Sequence, residues 1–159
     1  MTVFRASTAD FEDAWQIVCE YYEAIDVVLR EDRQEFLDHY FQQRSGVWLA
    51  RVDQAIAGCI ALKPLDPAPE PECGEIKRLY VRPEYRGRNI ALALLDALHE
   101  FALQSGYNWL YLDSKRDLEI AIRFYRNQGY SECDRYNDNP QASIFMRRQL
   151  APYLRSAAS

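Results

Sequence analysis

Apolar residues follow two kinds of spacing along this chain. Segments with apolar side chains at every third or fourth position predict helices, and short runs of β-branched and aromatic residues predict strands. The predicted elements are strand 2–5, helix 8–24, helix 31–44, strand 47–52, strand 55–62, strand 75–81, helix 89–103, strand 108–112, helix 117–128, strand 130–135 and strand 143–150. Hairpins and helical crossovers alternate in this order, which indicates one α/β fold with a mixed sheet.

The chain is expected to form a single domain over residues 1–150, followed by a frayed tail at residues 151–159. A length of 159 residues is enough for a full hydrophobic core without help from metals or disulfides. Residues 64–71 contain four prolines, so this stretch is expected to be a loop.

Three further features are predicted from local sequence. Asp53 and Gln54 are expected to form a tight turn between the strands on either side, and Gly129 is expected to end the helix at residues 117–128. The helix at residues 89–103 is expected to bury an apolar stripe that includes Leu94, Leu95 and Leu98.

The charge balance is acidic, with 19 Lys and Arg residues against 24 Asp and Glu residues and a net charge of -5. This balance argues against a nucleic-acid partner, which would require a basic stripe. The four cysteines stand far apart without a CxxC pair, so we interpret them as reduced, packed thiols and expect no metal. The amino terminus lacks a signal-peptide pattern, and no apolar run could span a bilayer. We therefore expect a cytoplasmic protein without a membrane partner.

One segment carries a candidate site. The predicted strand at residues 75–81 leads into Arg-Gly-Arg-Asn-Ile-Ala at residues 86–91, where the strongest helix of the chain begins. Unpaired N–H groups and the helix dipole make such a start an anion site, and two arginines raise the local potential, so a phosphate or diphosphate is the expected guest. The patterns GxxxxGK[ST] and GxGxxG are both missing. The alternative interpretation is a surface turn with solvated arginines.

Two motifs in this half of the chain resemble those of a known family. The pattern R-x-x-N-x-A at residues 86–91, preceded by L-Y-V-x-P at residues 79–83, is similar to the acyl-CoA signature [QR]-x-x-G-x-[GA] of the GNAT acetyltransferases. Downstream, A-x-x-F-Y-x-x-x-G-Y at residues 121–130 is similar to the second motif of that superfamily, A-x-x-[FL]-Y-x-x-x-G-[FY]. The motifs occur in the right order, and together they make the chain resemble a small, bacterial-type GNAT enzyme.

The resemblance implies a fold and a cosubstrate. The fold is α/β, with a mixed, mostly antiparallel central sheet of about six to seven strands flanked by about four helices. The cosubstrate is acetyl-CoA, with its diphosphate on the amides of residues 88–92 and its pantetheine arm along the main chain of Leu79 and Val81, where the strand splays from the one at residues 108–112. The implied cofactor-binding residues are Leu79, Tyr80, Val81, Arg86, Gly87, Arg88, Asn89, Ile90, Ala91 and Leu92.

Two residues depart from the pattern of the family. Asn89 replaces the usual glycine, and Asn tolerates a positive φ better than most residues. Leu118 stands where the family often has an Asn that touches CoA, which removes one polar contact from the implied site.

Glu75 is the candidate general base. Attack on a thioester needs a neutral amine, and an alkyl ammonium has a pKa near about 10.4, so a group must remove its proton. Several GNAT enzymes have their base at the matching place, and the two-residue period of a strand would put Glu75 and Val81 on one face. The alternative is a surface ion pair of Glu75 with Lys77 or Arg78.

Tyr125 is the candidate general acid. It falls on the tyrosine of the second motif, and a phenol with an ordinary pKa of about 10 is suited to protonate a departing thiolate. The alternative is a core tyrosine beside Phe124. The backbone N–H of Leu79 is the candidate donor to the oxyanion.

The expected function is transfer of an acetyl group from acetyl-CoA to a primary amine by direct attack on the thioester. The alternatives are transfer of another acyl group, a CoA-binding GNAT-fold regulator without catalysis, and a plain interaction domain. The partner is a small-molecule or peptide amine, with a pocket built from the first two helices and the loop at residues 136–140. GNAT domains often dimerise through their late strands, which adds a homodimer to the expectations. The candidate pocket residues are Tyr21, Tyr22, Glu23 and Tyr136.

Overall fold

The computed structural model of the protein describes residues 1–150, so the predicted tail at residues 151–159 lies outside the described residues. The strands and helices are β1 (Thr2–Arg5), α1 (Phe11–Ala24), α2 (Arg33–Tyr40), β2 (Gly46–Val52), β3 (Ala55–Pro64), β4 (Cys73–Val81), α3 (Ile90–Gln104), β5 (Trp109–Ser114), α4 (Glu119–Asn127), β6 (Ser131–Glu132) and β7 (Ile144–Gln149). The strands form a seven-stranded sheet in the order β1-β2-β3-β4-β5-β7-β6. The predicted α/β fold, with its mostly antiparallel sheet and four helices, is confirmed.

The described residues divide into two compact units. The first consists of Met1–Lys63 and Lys77–Phe101, and the second of Pro64–Ile76 with the described part of Ala102–Ser159. The division falls within β4, so this strand contributes its first residues to one unit and its last residues to the other.

In the first unit, β1, β2 and β3 form an antiparallel meander. Thr2 lies opposite Arg51, and Val52 lies opposite Ala55 across a hairpin. The two turn residues, Asp53 and Gln54, have φ angles of 49° and 69°, the left-handed values that tight hairpin turns require. The tight turn predicted from the sequence is therefore confirmed.

The core of the first unit is aromatic on its α1–α2 side. The Phe36 ring lies 5.7 Å from Phe11, 5.5 Å from Trp15 and 5.8 Å from Phe41, measured between centroids. Tilted and edge-on ring pairs of this kind contribute beyond the burial of their area.

Helix α3 adds aliphatic side chains to the core of the first unit. It buries the predicted stripe of leucines, since Leu94, Leu95 and Leu98 are fully buried.

In the second unit, β5 lies between two different neighbours. It pairs in parallel with the first residues of β4, from Cys73 opposite Trp109 to Ile76 opposite Leu112. On its other edge it pairs antiparallel with β7, and β7 pairs antiparallel with β6. A strand with partners on both edges is expected to be apolar on both faces, and residues 110–112 are buried.

Helix α2 and strand β6 are much shorter than predicted. Helix α2 begins after Asp32, whose side chain accepts a hydrogen bond from the Glu35 N–H at 2.9 Å. It ends at Tyr40, and the carbonyls of Gln42 and Ser45 bond to the Arg5 guanidinium instead of continuing the helix. Strand β6 keeps only two of the predicted residues, and Arg135 bonds to carbonyls of the β6–β7 connection.

Gly58 on β3 lies against the backbone of β4. A Cβ at this position would stand 2.7 Å from the Tyr80 carbonyl oxygen and 3.2 Å from Leu94 Cδ1. Gly58 is not among the residues with a positive φ, so its backbone conformation does not require a glycine. The close approach of the β3 and β4 backbones does.

We expect Gly58→Ala to lower the free energy of unfolding by about 1–3 kcal/mol, because the added methyl group would push β3 and β4 apart. Urea denaturation followed by far-UV circular dichroism measures the change. A variant as stable as the wild type would show that the two backbones are not held at this distance.

Candidate functional site

The segment at residues 86–92, called here the turn before α3, presents backbone donors. The Ala93 N–H donates to the Asn89 carbonyl at 3.1 Å, which is the first bond of helix α3. The N–H groups of Ile90, Ala91 and Leu92 therefore have no acceptor within the helix. Together with the helix dipole, these donors favour a bound anion.

Two left-handed residues shape this turn. Gly87 has a φ of 83°, and a Cβ added there would meet nothing within 4 Å, so the backbone conformation and not crowding requires the glycine. Asn89 has a φ of 59°. The prediction that Asn can adopt the positive φ of the glycine it replaces is confirmed.

Two exposed arginines stand at the turn before α3. Arg86 Nε donates to the Val81 carbonyl oxygen at 3.0 Å, and the Arg88 guanidinium lies 5.6 Å from the centre of the Tyr85 ring. Both side chains are exposed and positively charged. They add to the positive potential of the helix start and suit it to a diphosphate.

The last residues of β4 alternate in exposure. Tyr80 is buried and its ring lies 5.7 Å from the Tyr21 ring, whereas Leu79 and Val81 are half-buried. The core packing of the Tyr80 side chain fixes this part of the strand. The backbone of β4 thus has a rigid support immediately before the turn.

Arg78 interrupts the regular alternation of β4. Its φ is 63°, a left-handed value that is uncommon for a residue with a side chain and typical of a bulge. Simple two-residue alternation cannot be continued through such a residue. The argument that put Glu75 and Val81 on the same face of one regular strand was therefore wrong.

The Arg78 guanidinium is buried in the first unit. It donates to Glu31 Oε1 at 2.6 Å and to the Tyr22 hydroxyl at 3.3 Å. Three rings lie within 5.5 Å of its central carbon, those of Tyr22, Phe36 and Tyr40. Burial by itself lowers the pKa of Arg78, but Tyr40, Tyr22 and Glu31 together raise it above its usual value, so the group stays charged. The alternative of a surface ion pair between Glu75 and Arg78 was therefore wrong, because both residues are buried and Arg78 pairs with Glu31.

Glu75 lies in the second unit and is buried, with 3% of its surface exposed. Its Oε2 accepts hydrogen bonds from the Tyr136 hydroxyl at 2.7 Å and from Asn137 Nδ2 at 3.2 Å. Asn137 Nδ2 also donates to Asp113 Oδ2 at 2.6 Å. A buried carboxylate needs such donors, because an unpaired one would be strongly destabilising.

Tyr125 lies on α4 in the same unit and is 6% exposed. Its ring lies 5.5 Å from Phe124 and 5.3 Å from Tyr130, both edge-on. The Tyr125 carbonyl accepts the N–H of Tyr130 at 3.0 Å, and Gly129 between them has a φ of 90°. This left-handed glycine ends the helix, as predicted, and fixes the backbone of Tyr125.

The described residues contain neither a metal-binding group of side chains nor a membrane-spanning helix. Within residues 1–150, no group of three or more His, Cys, Asp and Glu side chains is arranged to hold a metal ion. None of the helices in that range is both long and apolar enough to cross a membrane.

Comparison with known proteins decides the family. Residues 11–130 match the model of the acetyltransferase (GNAT) family. The chain belongs to the GNAT family. An uncharacterised N-acetyltransferase of Schizosaccharomyces pombe is 28% identical over 149 residues, which cover 89% of this chain and 90% of that protein. The chain spans about a third to a half of the length of several other curated relatives that it matches. Membership supports acyl or acetyl transfer as the general activity.

Solved structures share the GNAT fold with this chain. A GNAT-family acetyltransferase of Staphylococcus aureus has a TM-score of 0.81 at 20% identity, covering 94% of this chain and 99% of that one. N-acetylglutamate synthase of Neisseria gonorrhoeae, a complex with coenzyme A and N-acetyl-glutamate, has a TM-score of 0.75 at 19% identity. The match covers 94% of this chain and 35% of that chain. At these identities the likeness concerns the fold.

The GNAT site residues predicted from the sequence are distributed over both units. The residues from Leu79 to Leu92 belong to the first unit, and Glu75 and Tyr125 belong to the second. The structure brings Glu75 together with Tyr136, which sequence analysis had considered only as a pocket residue. Tyr21 and Tyr22 pack on each other at 5.2 Å between ring centroids.

Sequence analysis missed Asn137, Asp113 and the burial of Arg78. The segment at residues 136–140 has the composition of a turn, and nothing in that composition shows that one of its amides bridges two carboxylates. Charged residues are rarely buried unless they are paired, and their partners lie far away in sequence. The separation of Asn137 and Glu75 is 62 positions.

We expect Arg78→Ala to lower the free energy of unfolding by about 3–5 kcal/mol, because it removes the buried cationic partner of Glu31, a side chain that is itself only 11% exposed. Arg33→Ala is the matched control, since Arg33 forms an ion pair with Glu12 in which the side chains are 52% and 74% exposed. This control is expected to change stability little. Equal effects of the two substitutions in urea denaturation would contradict the buried pairing of Arg78.

Proposed function

We propose that this chain transfers an acetyl group from acetyl-CoA to a primary amine, which attacks the thioester directly. The observation that supports this proposal most strongly is the left-handed turn before α3, with its unpaired amides and exposed arginines. Two buried residues support a catalytic role in addition to binding. Glu75 stands where several GNAT enzymes have their base, and Tyr125 falls on the tyrosine of the second motif.

In this proposal the amides of residues 88–92 hold the diphosphate of acetyl-CoA. The donors are main-chain groups, so they form hydrogen bonds whatever their side chains are. This is the physical reason that Asn89 can replace glycine once its φ of 59° is reached. Arg86 and Arg88 add charge attraction to the phosphates.

The main chain of Leu79 and Val81 is the proposed binding edge for the pantetheine arm. The parallel ladder between β4 and β5 covers only residues 73–76 of β4, and Leu79 and Val81 follow beyond it. An extended arm that adds to a strand edge forms main-chain hydrogen bonds. The Leu79 N–H, directly after the left-handed Arg78, is the proposed donor to the carbonyl oxygen that becomes negative during transfer.

Acetyl-CoA supplies the acetyl group as an activated thioester. Glu75 accepts the proton that the acceptor ammonium must lose before it becomes a nucleophile. Tyr125 donates its phenolic proton to the sulfur as the C–S bond breaks, and the proton that the attacking nitrogen loses on becoming an amide reprotonates the phenol. Glu75 then releases its own proton to solvent. These roles match the chemistry of the two groups, a carboxylate that accepts a proton and a phenol that gives one.

The proposed function has two rivals that a single assay separates. Transfer of a longer acyl group uses the same diphosphate and pantetheine contacts, and a regulator without catalysis uses the binding site alone. Thiol release is therefore measured with acetyl-, propionyl- and succinyl-CoA against an alkylamine, an arylethylamine, a polyamine, an amino acid and a tripeptide. Release with acetyl-CoA and at least one amine supports the proposal, and binding of CoA without release from any donor contradicts it.

We expect Tyr125→Phe to lower kcat by about a hundredfold or more, because a general acid typically contributes this much. The dissociation constant of acetyl-CoA is expected to change less than about twofold, since both rings and the helix remain. Tyr130→Phe is the matched control. It removes the hydroxyl of the ring that lies edge-on to Tyr125, at a position where the family motif accepts Phe. An unchanged kcat in Tyr125→Phe would exclude this tyrosine as the acid.

We expect Arg86→Glu to raise the dissociation constant of CoA by about ten- to a hundredfold, because attraction to the phosphates becomes repulsion. Arg30→Glu changes the net charge equally at an exposed position outside the turn and serves as the control. Isothermal titration calorimetry measures both variants. Equal affinities of the two variants would show that the diphosphate does not bind beside Arg86.

A further inference from the structure

The Glu75 carboxylate is held by a segment far away in sequence. Two donors, the Tyr136 hydroxyl and Asn137 Nδ2, converge on one oxygen, Oε2, at 2.7 and 3.2 Å. Two donors on one oxygen of a buried carboxylate fix its rotation about the last side-chain bond. Hydrogen bonds donated to a carboxylate also stabilise its ionised form, the form that accepts a proton.

The segment that supplies these donors is itself anchored. Asn137 Nδ2 donates to Asp113 Oδ2 on β5 at 2.6 Å, and Asn137 Oδ1 accepts the Asn139 N–H at 3.0 Å. The Arg135 guanidinium donates to the carbonyls of Asn137 and Asn139 at 3.3 and 3.1 Å. The orientation of the Asn137 amide is therefore determined by β5 and by its own loop, independently of Glu75.

Tyr136 is held equally firmly. Its ring lies edge-on against Tyr111 at 5.2 Å and against Phe145 at 5.4 Å. Burial raises the pKa of Tyr136, and the charges of Glu75 and Asp113 raise it further, so the phenol keeps its proton and remains a donor at any pH at which the enzyme works.

The charged and titratable groups around this hydroxyl come from three places. Glu75 lies on β4, Asp113 lies on β5, and Cys133 precedes the loop. Tyr111 of β5 packs on the ring, and its own hydroxyl accepts from Arg147 of β7 at 3.0 Å. Arg147 thus bonds to Tyr111. The Glu75 carboxylate accepts hydrogen bonds from Tyr136 and Asn137, and the Asp113 carboxylate accepts one from Asn137.

We propose that Tyr136 and Asn137 are positioning residues, which hold the Glu75 carboxylate oriented to accept the proton of the acceptor amine. The inference rests on the proposed function, because it requires Glu75 to be the base. It assigns a catalytic purpose to the β6–β7 connection, namely the placement of a proton acceptor that lies on a different strand.

The test compares Tyr136→Phe with Tyr111→Phe. Each removes one phenol hydroxyl from a pair of contacting rings, but only Tyr136 bonds to Glu75. Rates are measured from about pH 5 to 9 with acetyl-CoA and the panel amine that gives the fastest thiol release. Glu75→Gln and the double variant of Glu75→Gln with Tyr136→Phe complete a cycle that isolates the coupling between the two residues.

We expect Tyr136→Phe to lower kcat about tenfold or more, because the Glu75 carboxylate loses one of the two donors that orient it. The KM for acetyl-CoA is expected to stay unchanged. Tyr111→Phe is expected to keep the wild-type profile. In the Glu75→Gln background, Tyr136→Phe is expected to cause no further loss.

The possible failures can be distinguished. If Glu75→Gln is slow but Tyr136→Phe behaves like Tyr111→Phe, the positioning role is wrong and Glu75 remains the proposed base. If Glu75→Gln is as fast as the wild type, both the base assignment and the positioning role are wrong. Should Tyr136→Phe not fold, Asn137→Ala removes the other donor, and it must lower kcat with the KM for acetyl-CoA unchanged or the inference fails.

Discussion

The first turn of α3 leaves backbone N–H groups that cannot be bonded within the helix, and the account of this protein depends on that constraint. The donors are fixed by helix geometry, so they require no particular side chain. They require only that the preceding residues turn sharply enough to leave them accessible. Gly87 and Asn89 do so with φ angles of 83° and 59°. The anion site is therefore a consequence of backbone conformation, to which Arg86 and Arg88 add charge.

Strand β4 combines two buried charges that are stabilised in different ways. Glu75 has neutral donors, a phenol and an amide, from the β6–β7 connection. Arg78 has a carboxylate partner, Glu31, and three aromatic rings. A neutral set of donors leaves a carboxylate able to take up a proton, whereas a guanidinium surrounded by rings and a carboxylate stays charged. This difference suits Glu75 to proton transfer and Arg78 to a structural role at the bulge.

The sequence was sufficient to predict the element order, the hairpin at Asp53 and Gln54, the left-handed Asn89 and the glycine that ends α4. Each of these depends on local rules, such as hydrophobic period, turn composition and tolerance of a positive φ. The family motifs added a candidate position for the site, which stays a prediction. The predictions from local rules agree with the structure because local preference and tertiary packing favour the same conformation in these elements and turns.

Other features could not be predicted because they depend on contacts between distant residues. The early end of α2 reflects carbonyls bonded to Arg5, which lies 37 positions before Gln42. The bulge at Arg78 is stabilised by Glu31 and Tyr22, both on a different part of the chain. The donors of Glu75 belong to a loop whose composition indicates only a turn. None of these partners is marked by spacing or composition.

The most direct test of the central claim is a titration of ¹⁵N-labelled protein with coenzyme A and, separately, with pantetheine, which lacks the phosphates. If the amides before and within the first turn of α3 bind the diphosphate, their resonances at residues 86–92 shift most with coenzyme A and hardly move with pantetheine. Equal shifts with both ligands, or shifts with coenzyme A that leave residues 86–92 unaffected, would contradict the account.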